Sequence, residues 1–366
     1  MSGPWATRHD DLRTEEVPSV PGACDVVVVG GGQAGLAAGY YLRRAGLDYV
    51  ILDGQSQPGG AWRHGWDSLR LFSPAEYSPL PGWGMPRQEG EEFPTAGHVV
   101  DYLRAYEQRY DLRVRRPVRV HEVRRAGERL AVETGDGSWL ARYVISATGT
   151  WECPYVPDIP GRDEFTGRQL HTVHYTSPEQ FRGQRVVIVG GGNSAAQILA
   201  EVSRVAEATW VTLRPARFMP ADVDGRVLFG VATRKAAGGA GGGVSDLGDI
   251  VMVPSVRQAR DRGVLHARPM FARLTDRGVR WADGAEQPCD AIIWCTGFQP
   301  NLTHLASLLP GWRQGKVATE GTRSVHEPRL YLLGYGDWTG PASATLVGAG
   351  RTAKATVADI AARLRG

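Results

Sequence analysis

The sequence predicts an α/β fold made of two like units, the second inserted in the first. Three observations predict it. Asp25 to Asp53 reads as buried strand, glycine turn, helix, second strand and acid. Arg185 to Leu213 runs through the same series again, with leucine in the place of the acid. A strand closed by Thr-Gly then recurs at Ala147-Thr148-Gly149 and at Cys295-Thr296-Gly297, where the chain would cross between the units.

The first unit carries the strongest signal. Val26 to Val29 is a short β-branched run, the pattern of a strand buried on both faces. Gly30, Gly32 and Gly35, with Gln33 and Ala34 between them, form G-x-G-x-x-G. The first glycine permits the tight turn, the second lets backbone approach a pyrophosphate, and the third lets the helix pack close to the strand. A helix from Gln33 to Arg44 stops at Gly46, and Leu47 to Leu52 is the return strand. Asp53 ends it, the acid about 20 residues past the turn that bonds adenosine ribose hydroxyls. With 47 glycines in the chain a bare glycine motif means little, so the strand, helix and acid around it carry the assignment.

Composition narrows the class. The 366 residues suit two domains. A net charge of +3 with scattered basic residues gives no nucleic-acid footprint. No apolar run approaches the length of a membrane span. Residues 1–23 lack an apolar h-region and read as a disordered tail. The four cysteines, Cys24, Cys153, Cys289 and Cys295, form no C-x-x-C, and no cluster has metal spacing. A cytoplasmic, reduced protein is expected.

The chain between the two units follows in order. Gln57 to Trp62 holds the pair Gly59-Gly60 just past the first nucleotide half, where Trp62 could stack, although an ordinary core tryptophan reads the same way. Ser68 to Leu80 is a proline-rich connecting segment. Pro94 to Tyr110 is a helix capped by Thr95, with Val99, Leu103 and Tyr106 on one face. Val114 to Glu133 alternates like antiparallel strands, with Gly135-Asp136-Gly137 turning into another strand. Tyr143 to Ala147 is a further buried strand ending in Thr148-Gly149. Pro154, Pro157 and Pro160-Gly161 mark an interdomain linker. The expected division is 24–155 with 291–366 as one domain and 160–290 as the other.

In the second unit Gly190-Gly191-Gly192-Asn193-Ser194-Ala195 is G-x-G-x-x-A. Laid over the first unit, the position of Asp53 becomes Leu213, with Arg214 next. A carboxylate there would repel a 2′-phosphate, whereas leucine followed by arginine reverses the preference, so this site leans to NADPH with NADH as the alternative. Two dinucleotide sites in one chain point to a flavoprotein reduced by a nicotinamide, with FAD at the Asp53 site. Pro215 to Val256 includes the glycine-rich stretch 236–243, an insertion or a lid. Ala291 to Cys295 and Leu330 to Leu333 are buried strands. Asp337, in Gly334-Tyr335-Gly336-Asp337-Trp338, could hold ribityl hydroxyls. The final helix, Ser343 to Leu364, would aim its start, near Ala344 to Leu346, at the flavin N1–C2 carbonyl.

These motifs resemble the flavin-containing and Baeyer–Villiger monooxygenases, and in particular their short bacterial branch, from Cys24 to the C-terminus. The match includes Ser68 to Pro74, Asp222 to Phe229, Trp294 to Phe298 and the Phe165-x-Gly167-x-x-x-His171-x-x-x-Tyr175 pattern, the family's own signature. The resemblance implies FAD, NADPH and O2 as cofactors and co-substrate. It implies a C4a-(hydro)peroxyflavin that oxygenates a thioether sulfur, an amine, a ketone or an organoarsenical. The strict Baeyer–Villiger fingerprint ends in Trp where Tyr175 stands, which leans toward heteroatom oxidation. Larger members carry an Asn beside the flavin where this chain has Leu71-Phe72-Ser73. The short branch resembles proteins with Gln-His at the positions of Leu213-Arg214. Phe72 and Ser73 are expected at the reaction face and Leu71 beside the cofactor. His171 is read as a hinge residue in preference to a direct catalyst. The competing readings are a flavin or disulfide reductase and a redox sensor. A homodimer is the preferred assembly.

Overall fold

The computed structural model describes residues 22–220 and 250–366. The tail, the glycine-rich stretch 236–243 and the segment Asp222 to Phe229 lie outside the described residues, apart from the first two residues before Cys24.

The chain opens with β1 (Gly22–Val29), α1 (Gln33–Arg44) and β2 (Tyr49–Leu52). Val26, Val27 and Val28 are fully buried, as a strand covered on both faces requires. Helix α2 (Ala96–Arg109) follows, and Thr95 Oγ1 accepts from His98 N at 3.2 Å as its cap. Val99, Leu103 and Tyr106 face the core. Next come β3 (Val114–Arg115), β4 (Val120–Ala126), β5 (Arg129–Thr134) and β6 (Gly137–Ser146). β1 lies between β2 and β6 in parallel, with Val29 opposite Leu52 and Ser146.

Two expectations change here. Val114–Arg115 does not join the antiparallel meander. It pairs in parallel with β2, with Ile51 opposite Val114, and two residues are too few for any period to show. The strands expected on either side of Arg142 are one strand, β6. Its first half pairs antiparallel with β5 while its length also runs parallel to β1.

The chain then builds a second sheet from β7 (Arg168–His171), β8 (Arg185–Val189), β9 (Glu207–Thr212) and β10 (Ala267–Pro269). Helix α3 (Asn193–Val202) packs on α4 (Pro254–Asp261). β11 (Arg273–Thr275), β12 (Gly278–Arg280) and β13 (Glu286–Pro288) form a small antiparallel sheet. β14 (Ala291–Trp294) returns between β8 and β7, with Ala291 opposite Val186 and Arg168. The boundary expected at residue 291 is therefore corrected: Ala291–Trp294 belongs to the second sheet, because its four buried residues fill the gap between two parallel strands.

β15 (Thr319–Glu320), β16 (Arg323–Ser324) and β17 (Leu330–Leu332) complete the first sheet, with β17 parallel to β6. Helix α5 (Leu346–Arg365) closes on α1. It starts at Leu346 and not Ser343, since Thr345 caps it by accepting from Gly348 N at 3.1 Å. The second Rossmann-like unit is thus inserted in the first. Among the described residues no helix is long and apolar enough to cross a membrane.

Candidate active site

The first glycine turn closes a cavity of about 570 Å³. Gly30 follows β1 at φ 105, its N–H bonded to Leu52 O at 2.8 Å. A Cβ on Gly35 would lie 1.9 Å from Gly30 O, so helix and turn touch backbone to backbone. Gly32 caps α1 without a side chain, which leaves the first-turn N–H groups and the positive dipole end open to an anion. Gln33 pins three elements together. Its Nε2 donates to Ala344 O at 2.6 Å beside the start of α5, and its Oε1 accepts from Trp62 Nε1 at 2.9 Å. Gly32, Gln33, Ala34, Gly60 and Trp62 all line the cavity.

Asp53 lines the same cavity and is 5% exposed. Its Oδ1 accepts from Gln55 N at 3.3 Å and its Oδ2 from Arg116 Nε at 2.6 Å. Arg116 Nη1 in turn donates to both oxygens of Glu107, at 2.7 and 2.8 Å. Sequence reasoning missed Arg116. Nothing local marks it, because its partner arrives through the pairing of β3 with β2.

On the opposite wall Thr148 and Gly149 line the cavity, with Gly149 at φ 67. Thr148 Oγ1 donates to Asn301 O at 2.6 Å, a bond that only the hydroxyl can donate. Tyr335 Oη must then donate to Thr148 Oγ1 at 2.7 Å, and it accepts from Thr148 N at 3.2 Å. Ser146 Oγ donates to Tyr335 Oη at 2.6 Å, which leaves it to accept from His304 Nε2 at 3.1 Å. His304, also missed from sequence, is therefore the Nε2–H tautomer. Burial pushes its imidazole down to about 4, so the ring is neutral.

The second glycine turn repeats the geometry. Gly190 N donates to Val211 O at 2.9 Å, and a Cβ there would lie 2.2 Å from Cys295 O. Gly192 caps α3 as Gly32 caps α1. Asn193 Oδ1 accepts from Val251 N at 2.8 Å, and Ser194 is half-buried in the first turn. Leu213, past the end of β9, is 82% exposed and Arg214 beside it is exposed.

The two Thr-Gly segments pair with one another. Asn301 N donates to Gly149 O at 3.0 Å, Gln299 N to Cys153 O at 2.8 Å and Tyr155 N to Gly297 O at 2.9 Å. Thr296 Oγ1 donates to Tyr155 O. His171 braces this crossing: its Nε2–H donates to Gly297 O at 3.0 Å, and its Nδ1 accepts from Val173 N at 3.3 Å. Burial lowers its pKa, which keeps that neutral form.

Other expected residues stand apart from the first cavity. Leu71 is buried in the core under α1, and Phe72 packs against the second unit's core. Ser73 Oγ bonds Ser78 Oγ at 2.9 Å. Asp337 is exposed, and its Oδ1 accepts from Ala342 N at 2.9 Å. Of the stretch expected at the start of the last helix, Ala344 lines the cavity and Leu346 is buried at the start of α5. Phe165 and Tyr175 are core residues, and Tyr175 Oη donates to Glu201 Oε2 at 2.9 Å.

A family model described as pyridine nucleotide-disulphide oxidoreductase matches residues 27–226. The structure is similar to that of a flavin monooxygenase from Stenotrophomonas maltophilia, in a doubly substituted variant. The TM-score is 0.86 and identity 53%, covering 93% of this chain and 99% of that one. The chain is 29% identical to an uncharacterized CzcO-like oxidoreductase of Geobacillus kaustophilus over 92% of its length and 98% of the relative's. It is 28% identical to the indole-3-pyruvate monooxygenase YUCCA1 of Oryza sativa subsp. japonica over 86% of this chain and 87% of that one. With its paired glycine turns and these relatives, the chain belongs to the flavin-containing monooxygenases of the pyridine nucleotide-disulphide oxidoreductase family.

Proposed function

We propose that the protein oxygenates a small molecule with O2, drawing electrons from NADPH, with NADH as a poorer donor, through FAD. The acceptor is a soft heteroatom, such as a thioether sulfur or an amine, or a ketone carbonyl. The observation that carries this reading is the joining of two capped glycine turns by one pair of hydrogen-bonded crossing segments, Gly149–Tyr155 and Gly297–Asn301.

The first cavity fits FAD. A Cβ on Gly30 would meet Ala147 O at 2.5 Å, and one on Gly31 would meet Asp53 Oδ2 at 2.6 Å, so only glycine leaves this cradle open. When bound, the flavin supplies hydride acceptance and O2 activation. The chain supplies position. The α1 N-terminus would face the pyrophosphate and Asp53 the adenosine ribose. Arg116 holds the Asp53 carboxylate aimed into the cavity. Exposed Leu213 and Arg214 favour a 2′-phosphate at the second turn. His171 has both ring nitrogens engaged on backbone, so it serves as a brace for the crossing and not as an acid or base. In this reading residues 24–155 and the chain after Trp294 form the FAD domain, and 160–294 the nicotinamide domain.

A disulfide reductase is disfavoured by the thiols. Desolvation pushes both Cys289 and Cys295 up to about 12, so neither supplies a thiolate at neutral pH. The deciding experiment follows NADPH oxidation by FAD-loaded protein with methyl tolyl sulfide, measuring sulfoxide and hydrogen peroxide together. Sulfoxide in proportion to NADPH supports the reading. Oxidation that yields only peroxide, or that needs an added electron acceptor, would replace it with a reductase.

A further inference from the structure

A second cavity, of about 600 Å³, lies at the seam between the two units and shares no lining residue with the first. Asp67, Ser68 and Arg70 of the first unit form one side, and α3 with the start of α4 forms the other. Its volume is in the range of small-molecule sites.

Two features show what it would hold. Gln197 on α3 is 7% exposed and lines the cavity, yet its side chain makes no hydrogen bond among the described residues. The rest of the side chain is buried and the amide is open to the cavity, so both its donor and its acceptor are free for a polar group placed there. The charge is also one-sided. Five carboxylates line the cavity against two guanidinium groups, and both guanidiniums are already engaged. Arg70 binds Glu91 at 2.7 Å, and Arg204 donates to Gln258 Oε1 at 2.6 Å. Glu201 receives only neutral donors, Tyr175 Oη on one oxygen and Ser68 Oγ on the other. The Asp67 side chain has no partner among the described residues, and Glu179 is spent on Arg182 at 2.7 Å. A metal ion is the poorer occupant, because among the described residues no three acidic, histidine or cysteine side chains converge to hold one.

We propose that this seam cavity is a second small-molecule site for an organic cation, an amine or guanidinium compound. The charged head sits against Glu201 and Asp67, and a hydrogen-bonding group of the ligand pairs with the Gln197 amide. Because Glu201 ties α3 to Tyr175 and to Ser68, an occupant would touch both units at once.

The test is calorimetric titration of the FAD-loaded protein with agmatine and with spermidine, with succinate as the anionic control. Each titration is repeated with saturating NADP+. Binding of one cation per chain, unchanged by NADP+ and weakened by salt, is expected, with none for succinate. Gln197→Leu should weaken binding about tenfold. The exposed Asp67→Asn, which cannot disturb the core, should weaken it severalfold. Absence of binding by both cations at millimolar concentration would overturn the proposal. So would displacement by NADP+, or unchanged affinity in Asp67→Asn together with a folded Gln197→Leu.

Discussion

Arg116 Nε donates to Asp53 Oδ2 at 2.6 Å across 63 positions of chain, and both side chains are almost fully buried. The acid at the end of β2 is therefore not a free ribose acceptor. It is half of an ion pair whose cation is anchored a second time on Glu107. A buried pair contributes little net stability, but removing one partner strands the other charge. Arg116→Leu should destabilise the fold by about 3–5 kcal/mol. It should also weaken FAD more than FMN, which has no adenosine. Urea unfolding and flavin titration measure both, and equal losses for FAD and FMN would detach Arg116 from the adenosine end.

The two glycine turns should fail separately. A Cβ at Gly190 would press on Cys295 O, which does not line the first cavity. Gly190→Ala is expected to keep one FAD per chain by absorbance while losing NADPH-driven flavin reduction in stopped flow. Loss of FAD in this variant would mean the units are not independent.

Arg214 is exposed beside Leu213, so its removal leaves the core untouched. Arg214→Ala should raise KM for NADPH about tenfold, or about 1.4 kcal/mol, and leave KM for NADH within about twofold. A parallel rise with both donors would show that the arginine does not read the 2′-phosphate.

His304 makes stability depend on pH. Its folded pKa of about 4 lies below the ordinary 6.5, so between these values the unfolded chain binds a proton that the folded chain does not. Stability from this group is full above about 6.5 and is lost as pH falls toward 4, with a slope approaching about 1.4 kcal/mol per pH unit. Urea unfolding across that window should show the slope, and His304→Gln, which can still donate to Ser146, should flatten it.

Local pattern was enough wherever neighbours in sequence are neighbours in space. Val26 to Val29, the glycines at 30, 32 and 35 and the repeat at Gly190 and Gly192 depend on a strand passing directly into a helix, and the Thr95 cap depends on the first turn of its own helix. Backbone strain, close approach and helix capping act over a few residues, so a glycine, a threonine or a β-branched run declares them. By the same local rule Asp53 and Leu213 could be set against each other by spacing alone.

Tertiary structure decided what long-range pairing controls. Arg116 reaches Asp53 only because β3 adds to β2, a two-residue strand with no readable period. Ala291–Trp294 joins the second sheet because the gap between β8 and β7 accepts it, although the sequence reads as the start of the return to the first. His304 meets Ser146 across 158 positions, and its tautomer follows from bonds made by four other residues. Gln197 looks like any polar helix residue until packing buries it without a partner. The sequence by itself determined two dinucleotide turns and their order. Which charges are paired, which proton sits on which nitrogen and where a second cavity opens were left to the packing of the two units, since burial and hydrogen-bond partners are set by contacts between distant segments.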